Sequence, residues 1–195
     1  MEITEVFYPR IRQEWRDWLL ENHQSKPEIW VQRFIKASGK PSLSYDELVE
    51  ECLCFGWIDG TQKKYDDESH VQRITPRRKK SFLSELNRQR IWKLQRQGLM
   101  TPAGIAPIAS QIGTPDEPLV IPDWILEQLR RDEQVWKHFE AFPHFYKRLK
   151  IGWINENLTP SRQAEAQKRL DYLLKMTAQG KRYGAEPMAE MGIGF

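Results

Sequence analysis

No stretch of this chain approaches the ~18–20 consecutive apolar residues that a membrane span requires. Its opening residues, MEITEVFYPRIRQEW, lack the charged start, apolar middle and small-residue cleavage site of a secretory signal. Cysteine is almost missing: Cys52 and Cys54 stand alone, as C-x-C. At that spacing on one helix they make a poor disulfide and an incomplete zinc site, so they read as small buried hydrophobes of a reducing compartment. There is no glycine-rich phosphate loop, no G-x-S-x-G and no H-E-x-x-H. His23, His70, His138 and His144 are scattered without metal-ligand spacing. No repeat or low-complexity tract occurs. These absences imply no cofactor and no metal, and they lead us to expect a cytoplasmic protein.

What is present suffices for a real core: 195 residues, 39% of them hydrophobic, with eight tryptophans. The net charge of +3 conceals an uneven distribution. Between Thr61 and Arg96 eleven Lys and Arg stand against four Asp and Glu, a local +7, which leaves −4 for the remainder. Such asymmetry points to an anionic partner, or to a solvated, salt-laced face.

Periodicity places the elements. Ile11, Trp15, Trp18 and Leu19 predict an amphipathic helix over 9–22, and the β-branched and aromatic run IWVQRFIK predicts a strand over 29–36. Ser44 with Glu47 forms a capping box that opens a helix stopped by Gly56. Tyr45, Leu48, Val49, Cys52 and Leu53 share its apolar face, and Asp46, Glu47, Glu50 and Glu51 fall on the other. Two strands, 58–65 and 70–75, flank an acidic turn at 66–69. A helix over 82–97 ends at Gly98, and Thr101 with Pro102 starts a short helix. From Asp123 the pattern is helical, interrupted at Pro143 and Pro160. The fold class is therefore α+β: a small antiparallel sheet of about three strands packed with helices, followed by a helical C-terminal part. The expected division is an α+β portion over 1–111, a linker over 112–122, a helical portion over 123–179 and a mobile tail over 180–195.

One constellation could carry chemistry. Trp57, Asp59, Arg73, Thr75, Arg77, Ser81, Ser84, Asn87 and Arg90 occur within about 35 residues, and hairpin pairing would bring Asp59 near Arg73 or Thr75. Asn87 and Arg90 project within the apolar arc of their helix, so they must be paired, line a cavity, or cap neighbouring loops from the edge of the stripe. The hydroxyls of Ser81 and Ser84, with guanidinium and free amide groups, suit an oxyanion. Asp59 would orient an arginine, accept a ligand hydroxyl, serve as the candidate catalytic acid or base, or simply salt-bridge Arg73 or Arg90.

LCFGWIDG, then DDESHVQRITPRRKKSFLSELNRQR and GLMTPAG, resembles the YdeI/OmpD-associated, or bacteriocin-protection, family. The likeness runs over 15–106 and includes IWV, TPR, Ser81, Ser84 and Asn87. Lys80 stands where the family commonly has arginine, and Leu83 where it commonly has tryptophan. Farther on, WINENLTPSR is similar more weakly: Trp153, Ile154 and Arg162 match, whereas Leu158 replaces a lysine and Ser161 a threonine. The resemblance implies an α+β portion with a helical C-terminal part, a bacterial protein, and a connection with envelope stress and tolerance of bacteriocins or antimicrobial peptides. It implies no settled activity. Three readings stand: a binding or regulatory module for an anionic small molecule or protein partner; an enzyme on an anionic small molecule using Asp59 with Ser81 or Ser84; and a nucleic-acid-binding module using the basic hairpin, against which Asp66, Asp67 and Glu68 weigh.

Overall fold

The structure, a computed structural model, describes residues 1–79, 81–156 and 158–184. They cluster into two compact units: Met1–Ser81 with Ile91–Ile112, and Phe82–Arg90 with the described residues from Gly113 onward. Phe82–Arg90 thus falls in the second unit although Ile91–Ile112 falls in the first.

The first unit is a four-stranded sheet with helices. Its strands are β1 (Val6–Phe7), β2 (Ile29–Phe34), β3 (Trp57–Lys64) and β4 (Ser69–Pro76), in the order β1-β2-β4-β3. The three long strands are antiparallel, as the alternation implies, and the two-residue β1 adds a parallel edge too short to show periodicity. Helices α1 (Arg12–Asn22), α2 (Tyr45–Cys54) and the one-turn α4 (Pro102–Ile105) complete it. α1 starts three residues later than expected and Ile11 is exposed, because the chain at Ile11 is still extended. Trp15 and Leu19 are fully buried, and the Trp15 indole donates to the Leu48 carbonyl at 3.2 Å. Trp18 stacks on Trp15 and meets Trp57 edge-on, which ties α1 to the start of β3.

The Ser44 capping box is present with both of its bonds. Its helix departs from the expectation on one point. Glu50 and Glu51, placed on the polar face, are 2% and 1% exposed. Their carboxylates are sealed by Arg12, Arg16 and Lys93. Gly56 ends the turn with φ +73°, and a Cβ there would lie 2.4 Å from the Ala103 carbonyl oxygen, so glycine is required twice over.

The second unit is helical. α3 (Glu85–Arg96) contributes its first residues to it, and α5 (Asp123–Arg130), α6 (Glu133–Ala141), α7 (His144–Ile154) and α8 (Gln163–Ala178) follow. Asp132 caps α6, and Pro143 forces the break before α7. Ile125, Leu129, Phe139, Ile154, Leu170 and Leu173 make a buried core. Lys181 and Tyr183, at the start of the expected tail, are held by backbone bonds to Met176 and to the Tyr146 hydroxyl. The tail beyond 184, and Lys80, lie outside the described residues. Among the described residues no helix is long and apolar enough to cross a membrane.

Candidate functional site

Strand register decides which polar side chains can meet. Residues directly opposite in an antiparallel pair share a face of the sheet. Asp59 faces Ile74, which in turn faces Ile29 on β2; Val31 and Arg33 continue that face. Thr75 faces Ile58, and Arg73 faces Trp30, on the opposite side. The expected approach of Asp59 to Arg73 or Thr75 therefore does not occur: the register is off by one residue, and at period two that reverses the face. Arg73 instead pairs with Glu28 through both Nε and Nη2. Of the two structural alternatives, a salt bridge from Asp59 to Arg73 or to Arg90, the one to Arg73 fails for the same reason.

Asp59 lies on the face carrying α2. It accepts a hydrogen bond from the Tyr45 hydroxyl at 2.7 Å, and Tyr45 in turn lies under the Arg33 guanidinium, 5.4 Å from ring centre to Cζ. Burial pushes the pKa of Arg33 down, opposed by Tyr45 and then by Asp59. Arg33 Nε is shut off from solvent and is hydrogen-bonded to no described residue. Burial likewise lowers Arg77, opposed by Asp59. Arg77 is 7% exposed, and its Nη1 donates to Ser81 Oγ at 3.1 Å. The backbone N–H of Arg77 is fixed on the Gly56 carbonyl at 2.8 Å. Arg33, Tyr45, Asp59, Arg77 and Ser81 thus form one polar group in the first unit.

The remaining candidates divide. Trp57 is a core residue, 1% exposed, with its indole N–H on the His23 carbonyl at 3.2 Å. Ser84, Asn87 and Arg90 belong to the second unit. There the Ser84 hydroxyl accepts from the Asn87 N–H at 3.3 Å, and Arg90 Nη1 donates to Asn87 Oδ1 at 2.9 Å. Arg90 is 4% exposed, so its inward direction is real. Arg33 and Tyr45 were not among the candidate site residues read from the sequence; Tyr45, placed there on the apolar face of its helix, is 44% exposed. The signal for Arg33 was available: it continues the inward Ile29, Val31 series at period two.

One charge of the basic hairpin is met by its own turn, Lys64 pairing with Asp67 at 2.6 Å, while Glu68 of that turn pairs with Lys40 outside the hairpin at 2.7 Å. Among the described residues no group of three or more His, Cys, Asp or Glu could hold a metal ion. Cys52 and Cys54 are buried free thiols; burial raises both, Cys54 to about 12.

Two families match the chain. The one described as "Domain of unknown function (DUF8412)" matches residues 7–107, more than half of the sequence, and the chain belongs to that family. The one described as "Bacteriocin-protection, YdeI or OmpD-Associated" matches residues 118–180 only. The YdeI/OmpD likeness is thus partial. It falls on the helical C-terminal part, where the motifs are sparse, whereas the motif-rich segment over 15–106 lies in the DUF8412 match. No curated protein and no solved structure matches the chain.

Proposed function

We propose that this member of the DUF8412 family is a binding module for a small anion, held in the first unit by Arg33, Arg77 and Ser81 with Asp59 orienting them. The observation that carries the reading is Arg33: a half-buried guanidinium whose Nε is hidden from solvent without an acceptor among the described residues. A buried donor of that kind is costly, and a bound oxyanion relieves the cost. Asp59 is held by the Tyr45 hydroxyl, a geometry suited to fixing nearby cations. In this reading Asp59 positions, and no acid–base step is assigned to it. The local +7 over residues 61–96 would draw an anion in. The setting proposed for such a module is tolerance of bacteriocins within the cytoplasm, a reading supported by the partial YdeI/OmpD likeness.

The test is a titration of the protein with inorganic phosphate and with small dicarboxylates, followed by thermal shift and calorimetry. At ligand concentrations near 100 Kd the native state gains about 2.7 kcal/mol. Arg33→Gln should lower the affinity about tenfold or more while retaining the far-ultraviolet spectrum. Unchanged affinity in Arg33→Gln, or indifference to every anion, would refute the reading.

A further inference from the structure

The second unit holds a cavity of about 400 Å³, bounded by the first turn of α3, the C-terminal half of α7 and Tyr183–Gly184. Leu86, Leu149, Trp153 and Tyr183 supply apolar wall, and Lys150 is among the lining residues. Lys150 is only 7% exposed. Its Nζ lies 3.7 Å from the centre of the Tyr183 ring, 5.4 Å from that of Tyr146 and 5.7 Å from that of Trp153. No carboxylate or carbonyl among the described residues bonds to it. Of the acids on the wall, Glu85 is committed to Arg148 at 2.9 Å, Arg88 at 3.2 Å and Gln89 at 2.7 Å. Glu156 is the other acid on the wall, and the charge of Arg182 is felt at Tyr146. The Tyr183 hydroxyl is buried with no hydrogen-bond partner among the described residues.

A buried lysine ordinarily has a carboxylate beside it. Here the ammonium rests against ring faces, which attract it, but desolvation by burial outweighs them and favours the neutral amine. Burial brings Lys150 down to about 8. Near that pH half of the side chain is an uncharged nucleophile, against less than about one per cent of an ordinary lysine. A lysine amine desolvated in an apolar pocket is the chemistry of imine formation with carbonyl compounds.

We propose that this cavity is a site for a small aromatic aldehyde, which condenses with Lys150 Nζ. The nitrogen lone pair forms a bond to the carbonyl carbon, and the carbonyl π pair moves to oxygen, which takes up a proton. Nitrogen gives up one proton as oxygen gains one, which leaves a neutral carbinolamine; its hydroxyl then departs with the remaining N–H proton as one water. The product is an imine; nothing is oxidised or reduced. Leu86, Leu149 and Trp153 supply apolar wall against which the aldehyde's ring can rest, while Arg169 lies over the Trp153 ring at 4.5 Å and Tyr172 meets Tyr183 edge-on. This site lies in the other unit from the anion site, and neither reading depends on the other.

The experiment treats the full chain with benzaldehyde and cyanoborohydride from about pH 6 to about pH 10 and maps the alkylated lysines by peptide mass spectrometry. Lys150 should be labelled about tenfold faster than the exposed Lys168 and Lys175, with a half-maximal rate near pH 8. Excess benzyl alcohol, which has the ring but no carbonyl, should slow labelling at Lys150 alone. Lys150→Arg should lose that label and keep the others. Labelling of Lys150 no faster than of Lys168 and Lys175, or no protection by benzyl alcohol, overturns the proposal on the native protein, whatever the variant does.

Discussion

Arg12 Nε donates to Glu51 Oε1 at 2.6 Å, while Arg12 Nη1 donates to Glu50 Oε2 at 2.8 Å. One guanidinium on α1 thus joins two adjacent carboxylates of α2. Arg16 takes the second oxygen of Glu51, and Lys93 the second oxygen of Glu50. Both acids are within a few per cent of full burial, whereas Arg12 and Arg16 keep about a quarter to a third of their side-chain surface in water.

Breaking such a cluster from one side leaves charge buried without a partner. Glu51→Ala should destabilise the protein by about 3 kcal/mol or more, since Arg12 and Arg16 both lose an acceptor. Urea denaturation gives the value. The double variant with Arg12→Ala should cost less than the sum of the two single changes by at least about 1 kcal/mol.

Glycines separate steric closure from backbone conformation. At Gly104 a Cβ would sit 2.2 Å from the Cys54 carbonyl oxygen, at the contact of α4 with the end of α2. Gly39 has φ +68° but nothing within 4 Å. Gly104→Ala should cost about 3 kcal/mol, and Gly39→Ala about 1 kcal/mol. Thermal denaturation of the two variants checks the ordering; equal losses would contradict it.

Lys150 makes stability depend on pH with a definite sign. Its folded pKa is about 8, below the 10.5 of an unconstrained lysine. Between those values the unfolded chain binds more protons, so stability rises with pH. The penalty of burying the ammonium is fully present below pH 8 and is removed as the pH passes 10.5. Its full size is on the order of 3 kcal/mol. Lys150→Met should abolish this increment, read as the wild-type-minus-variant difference in unfolding free energy across that window. The difference cancels the ionisation of tyrosines common to both proteins.

The two thiols should be silent in the native state. Burial holds Cys52 and Cys54 protonated, and the thiolate is the reacting form. A chromogenic disulfide reagent at neutral pH should modify both only as fast as the protein opens, and rapidly in denaturant. Fast native labelling of either would show that α2 is accessible.

Local rules were readable where one element explains itself. The Ser44 capping box, the stop at Gly56, the Thr101 cap and the breaks at Pro143 and Pro160 depend on backbone groups within a few residues. The α+β class followed from the same periodicities. Glu50 and Glu51 were misread because a helical wheel reports polarity, and polarity stands for exposure only when no cation from another element covers the acid. The C-terminal core was legible only as a helical pattern, since no pattern states which faces of α5, α6 and α8 adjoin.

The chain's own order of residues determined the main helices and the three long strands, and that a positive segment follows a single acid at Asp59. Only tertiary structure decided the company those side chains keep. A one-residue difference in strand register sends Asp59 to Tyr45 and Arg33 and sends Arg73 to Glu28. Lys150 owes its low pKa to burial, among rings of which Tyr146 and Trp153 are close in the sequence and Tyr183 is remote. Propensity acts within a few residues along the chain. Desolvation and charge pairing act through space, among groups that packing alone brings together.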